Sequence, residues 1–127
     1  MTPEVEQAIA EIKRAFDGHP VDAEPEPQGG AYIRVHNLLI GEQYVPTTSW
    51  VGFQVGFQYP YADVYPHFTD GSLRRADGRA LGAGLSSGII WQKRKVIQLS
   101  RRSNRWNPAI DTAATKLTKV LAWVRSQ

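Results

Sequence analysis

The 127 residues contain no cysteine, which excludes disulfides, thiolate metal sites and cysteine nucleophiles at the outset. His19, His36 and His67 are scattered along the chain, a spacing that does not suggest a zinc site. Ser100 and Ser103 lie beside a run of arginines, yet a serine nucleophile needs a general base, and neither has a histidine close in sequence. Gly82-Ala83-Gly84 lacks the further glycine and the capped helix of a dinucleotide fingerprint, so no cofactor is expected. Charge is the more informative feature. Residues 71–105 carry Arg74, Arg75, Arg79, Lys93, Arg94, Lys95, Arg101, Arg102 and Arg105 against Asp77 alone, a local net of +8. Residues 1–70 have a net of −7, and the remainder adds +2. A molecule electrically two-ended in this way is suited to docking on an acidic partner. Trp91 and Trp106 within and beside the basic stretch give an alternative, a charged stacking surface for nucleic acid. No nucleic-acid-binding motif accompanies them and the acidic half opposes phosphate, so nucleic acid is the weaker reading. A structural subunit of a larger assembly is the third.

Several elements must position these groups. Thr2-Pro3-Glu4 predicts a helix start, with a cap, a proline at the first position and acids in the first turn. Val5, Ala8, Ile9, Ile12 and Phe16 form its apolar face, and Asp17-Gly18-His19-Pro20 ends it. Val21 to Glu26, interrupted by Pro25 and followed by Pro27, reads as an edge segment. Ala31 to Ile40 reads as a strand, and Ser49 to Gln58 is the clearest one, with Val51, Phe53, Val55 and Phe57 alternating with small or polar residues. Val64 to Thr69 supplies another. Short turns between these segments predict an antiparallel meander of four strands. Glycines at 82, 84 and 88 mark a loop, and Ile89 to Ser100 reads as extended, with Trp91 anchoring the segment before it. Asn107 is placed as the N-cap of a final helix and Pro108 at its first position. Ile110, Ala113, Ala114, Leu117, Val120, Leu121 and Val124 form the stripe to be buried, with Lys116 and Lys119 turned away from it.

Ile97-Gln98-Leu99 followed by Trp106-Asn107-Pro108-Ala109 resembles the active-site end of the ubiquitin-conjugating-enzyme (UBC) fold. In that family an Ile-Cys-Leu strand leads to a Trp-x-Pro-Ala helix start, the cysteine eight residues before the tryptophan. That position is Gln98 here. Tyr59-Pro60 and Phe68 resemble the family's Tyr-Pro flap and the strand after it, although Asp63 and Val64 stand where a proline pair is usual. The His-Pro-Asn tripeptide, whose asparagine stabilises the oxyanion of acyl transfer, is absent.

The resemblance implies a single α+β domain of UBC type over 1–127. It has an N-terminal helix, a four-stranded antiparallel meander and a helix packed on the sheet, with no extra C-terminal helices. A loop or hairpin inserted at 70–95 explains the long spacing from Phe68 to Gln98. A compact ending resembles RWD domains and the divergent bacterial branch associated with ubiquitin-like modification operons. Glutamine is neutral and poorly nucleophilic, so no thioester transfer is expected at Gln98. The resemblance therefore implies a catalytically inactive binding or accessory component, meeting a ubiquitin-like protein, an activating enzyme or another conjugation protein. Arg101, Arg102 and Arg105, with Tyr59 and Pro60, are the expected partner-binding residues, and Trp106 with Pro108 the structural signature. No metal site is expected. No apolar run has the length of a membrane span, and the start lacks the pattern of a signal peptide, so a cytoplasmic location is the expectation.

Overall fold

The computed structural model describes residues 1–127. Helix α1 (Pro3–Ala15) begins where the cap predicts: the Thr2 hydroxyl accepts the Val5 N–H at 3.1 Å, and Val5, Ala8, Ile9 and Ile12 are buried. Strands β1 (Val21–Pro25), β2 (Ala31–Leu39), β4 (Thr48–Val55) and β5 (His67–Asp70) run antiparallel in that order across one sheet. The two-residue strands β3 (Tyr44–Val45) and β6 (Arg74–Arg75) pair separately. The sheet does not stop at four strands. Strand β7 (Leu85–Trp91) and strand β8 (Arg94–Leu99) form a hairpin, and β8 joins β5, giving the order β1-β2-β4-β5-β8-β7. In place of the expected four-stranded meander, the structure has a six-stranded antiparallel sheet and a separate two-stranded one.

The hairpin turn explains why the additional strands are hard to read. Gln92 and Lys93 both take positive φ, at 49° and 65°, the backbone that a two-residue turn between twisted strands requires. Asparagine and glycine usually supply it, and neither is present. The hairpin is held instead by Trp91, whose ring stacks on Phe68 with centroids 4.7 Å apart. A Cβ on Gly52 would fall 2.6 Å from Cζ3 of Trp91, so glycine at 52 opens the slot in which the indole lies.

Helix α2 (Ala113–Arg125) shares one hydrophobic core with α1 and the inner sheet residues Ile33, Val35, Phe53, Ile97 and Leu99. It begins five residues later than an N-cap at Asn107 predicts, with Thr112 as the cap and Ala113 as the first helical residue. Asn107 instead closes a single turn: its Oδ1 accepts the Ala109 N–H, and its carbonyl accepts those of Ile110 and Asp111. Thr112 is then extended (φ −131°, ψ 163°) and starts the true helix through a reciprocal capping box with Thr115. The Tyr59 hydroxyl accepts the Ala113 N–H at 3.0 Å, satisfying a further free donor at that helix start. Ile110, outside the helix, is 72% exposed and drops from the apolar stripe. The other stripe residues, Ala113, Ala114, Leu117, Val120, Leu121 and Val124, are all buried. Lys116, expected to face away, is only 2% exposed. Neither helix is long and apolar enough to cross a membrane.

Candidate functional site

Gln98 lies within strand β8, paired on one side with Phe68 and on the other with Ser86. Its neighbours Ile97 and Leu99 enter the core, so Gln98 occupies the opposite face of the sheet, in one cross-strand row with Phe68, Gly52 and Arg34. Its amide donates to the Ser100 hydroxyl at 3.1 Å. The signature residues gather elsewhere. Trp106 is half-buried rather than fully enclosed, because the chain after it makes an exposed turn instead of a packed helix. Its indole N–H donates to the Pro60 carbonyl at 2.7 Å, and its ring lies 6.4 Å from that of Tyr59. Tyr59 is itself buried, and burial raises its pKa against the opposing pull of the Ala113 N–H. Tyr59, Pro60 and Pro108 line a shallow depression of about 190 Å³ whose charged neighbours are Glu4, Glu11 and Asp111. That wall is acidic, and it is separate from the arginines.

Behind the Trp106 corner lies a closed polar network that no sequence motif announces. Lys116 Nζ donates to both Asp63 oxygens at 3.1 Å and to Ser103 Oγ at 2.7 Å, which uses all three of its protons. Asp63 also accepts the Ser103 backbone N–H at 2.8 Å and its hydroxyl at 2.9 Å. Burial would raise the Asp63 pKa, but the Ser103 hydrogen bonds and the Lys116 charge outweigh it and hold the carboxyl below its ordinary value. Burial lowers the Lys116 pKa, opposed by the carboxylate it faces. Ser103 Oγ thus has its lone pair engaged by an ammonium and its proton directed at a weakened base. That is the electrostatics of a tie between segments: it fastens the loop carrying Ser103 to α2 and to the chain after Tyr59. His67 sits in the core with both ring nitrogens lacking a protein partner and its ring 4.9 Å from Phe53. Burial, reinforced by the Lys116 charge and opposed by that of Asp63, pushes its pKa down to about 3.

In front of this tie the structure opens a concavity of about 680 Å³ between the 100–111 loop and α2. Arg101, Arg102 and Arg105 all line it, joined by Lys119, Trp123 and Ile110. Lys119 pairs with Asp111 at 3.6 Å, but the three arginines have no carboxylate partner. Arg101 lies 6.0 Å from the Trp123 ring centre, and Arg102 lies 4.1 Å from that of Tyr65. The fold therefore brings the three predicted arginines into one cleft and leaves Tyr59, Pro60 and Gln98 outside it. Lys119 and Trp123 are legible in retrospect, four residues apart on the less apolar side of α2.

The chain matches no family model, no curated protein and no solved structure. What the site does must be argued from its own residues. No group of three or more histidine, aspartate or glutamate side chains is arranged to hold a metal ion.

Proposed function

We propose that this chain is a docking module of the ubiquitin-conjugating-enzyme type, without thioester chemistry, serving a bacterial ubiquitin-like modification system in the cytoplasm. Its partner is a ubiquitin-like protein, an activating enzyme or another conjugation component, held through an acidic surface. The observation that carries the reading is the basic cleft, where Arg101, Arg102 and Arg105 converge without a carboxylate partner, since Asp111 on the same wall is paired with Lys119. Cations left bare in a concavity are better suited to an external anion than to holding the fold. The order of helix, antiparallel strands, Tyr-Pro flap, Trp-x-Pro corner and helix supports the family type. Gln98, set in a regular strand and hydrogen-bonded to Ser100, supports the absence of transfer chemistry.

The test is a binding and transfer assay with ATP and the purified activating enzyme and ubiquitin-like protein of the same cell. One of these proteins should bind the chain, and no thiol-sensitive adduct should form on it. Arg101→Glu should weaken that association, mainly through a slower on-rate and a reduced salt dependence, because exposed charges act by steering. A covalent adduct on the chain, or binding indifferent to Arg101→Glu, contradicts the proposal.

A further inference from the structure

We infer that the occupant of the basic cleft is an extended acidic peptide segment that sets an aliphatic side chain beside two carboxylates. The inference rests on the docking reading above and names its ligand. The arginines select the carboxylates. With Arg101 close to Trp123 and Arg102 close to Tyr65, each guanidinium is braced by a ring, while its planar N–H edge has no acceptor within the protein. A guanidinium held in this way suits a bidentate carboxylate, and less ordering is needed on binding than for a free lysine.

The same rings argue against nucleic acid. Sequence-tolerant binding of single strands relies on open aromatic faces on which bases stack. Trp123 packs so closely on the loop that a Cβ at Gly84 would fall 2.8 Å from its Cζ2, and Arg101 stands over the ring as well. Tyr65 is covered by Arg102. Asp111, on the cleft wall, is paired with Lys119 at 3.6 Å and accepts the Asn107 N–H at 2.7 Å, so it leaves the arginines free for the carboxylates of a peptide.

Ile110 selects the aliphatic residue. It is the most exposed large aliphatic side chain of the molecule at 72%, and it lines the cleft together with Ala122 and Trp123. An apolar side chain arriving between the arginines gains contact with this wall and removes it from water. The volume of about 680 Å³ lies within the range of ligand-binding concavities.

Fluorescence anisotropy on the full chain at physiological ionic strength tests this. The probes are a labelled Asp-Glu-Leu-Asp-Glu peptide, the same peptide with serine for leucine, and a single-stranded oligothymidylate. The leucine peptide should bind about tenfold more tightly than the serine peptide, the scale expected for burying one aliphatic side chain, and more tightly than the oligonucleotide. Ile110→Ser should abolish the preference for leucine, and its exposure means that the fold tolerates the change. The Arg101→Glu/Arg102→Glu variant should weaken both peptides by about tenfold or more. Equal affinity for the two peptides, tighter oligonucleotide binding, or a leucine preference surviving Ile110→Ser would each overturn the inference. The two proposals fail separately. Leucine-dependent peptide binding without capture of any conjugation component supports this one and removes the other. Capture of such a component by a cleft indifferent to Ile110→Ser does the reverse.

Discussion

Lys116 on α2 and Arg101, Arg102 and Arg105 on the loop before it lie around one concavity, and they are in opposite circumstances. Lys116 is 2% exposed and spends its three protons on Asp63 and Ser103. Arg101, Arg102 and Arg105 line an open cleft and have no carboxylate partner. Identical charge thus does two kinds of work. Where a cation is buried, the low local dielectric makes its partner indispensable, because an uncompensated charge is costly. Where it is exposed, water carries most of that cost, and the charge remains available to a ligand. The contrast assigns stability to the tie and binding to the cleft.

The sharpest way to break this contrast is to strand the buried cation. Asp63→Ala leaves Lys116 without its counter-charge and should cost about 3–5 kcal/mol of folding stability, read as a shift of the denaturant midpoint. Adding Lys116→Met, which keeps the length of the side chain and removes its charge, should restore most of the loss. If the double variant is no more stable than the single one, the tie is not electrostatic.

His67 offers an effect that is spread over pH and is smaller within the two-unit window that isolates it. Its folded pKa of about 3 lies below the ordinary value of 6.5, so between these limits the unfolded chain binds the extra proton. The stability linked to the neutral ring is complete above pH 6.5 and falls by about 1.4 kcal/mol per pH unit as the solution is acidified towards 3. Asp63, whose pKa is depressed, contributes a loss only below its ordinary 3.8. The interval from 6.5 to 4.5 therefore isolates the histidine from the tie. Midpoints measured across it should slope in the parent protein and flatten in His67→Leu, and an unchanged slope in the variant would contradict the assignment.

Much of the architecture is legible in the amino-acid order because it depends on local chemistry. The cap and first-turn acids of α1 specify its start, and the alternation of Val51, Phe53 and Val55 specifies the buried side of β4. A loop or hairpin at 70–95 and an extended Ile89 to Ser100 are expected from the sequence, but the turn that divides the latter into β7 and β8 escapes, since it uses Gln92 and Lys93 at positive φ. The start of α2 is displaced because two N-terminal signals compete. Asn107-Pro108 closes one turn, while Thr112-x-x-Thr115 caps the helix without the usual glutamate or glutamine at the fourth position. At the site, Arg101, Arg102 and Arg105 are readable as a cluster because they are neighbours in sequence. Lys116 is not readable as buried, because the carboxylate that permits its burial lies 53 residues away. Long-range pairing of that kind leaves no periodic trace.

The division of labour is tested most directly on a variant that changes only the open cations. Arg101→Glu/Arg102→Glu/Arg105→Glu should leave the denaturant midpoint nearly unmoved, within about 0.5 kcal/mol, as expected of surface substitutions. In the same preparation, affinity for the leucine-bearing acidic peptide should fall by about tenfold or more. Loss of stability on the scale of Asp63→Ala, or peptide affinity equal to that of the parent, would contradict the account.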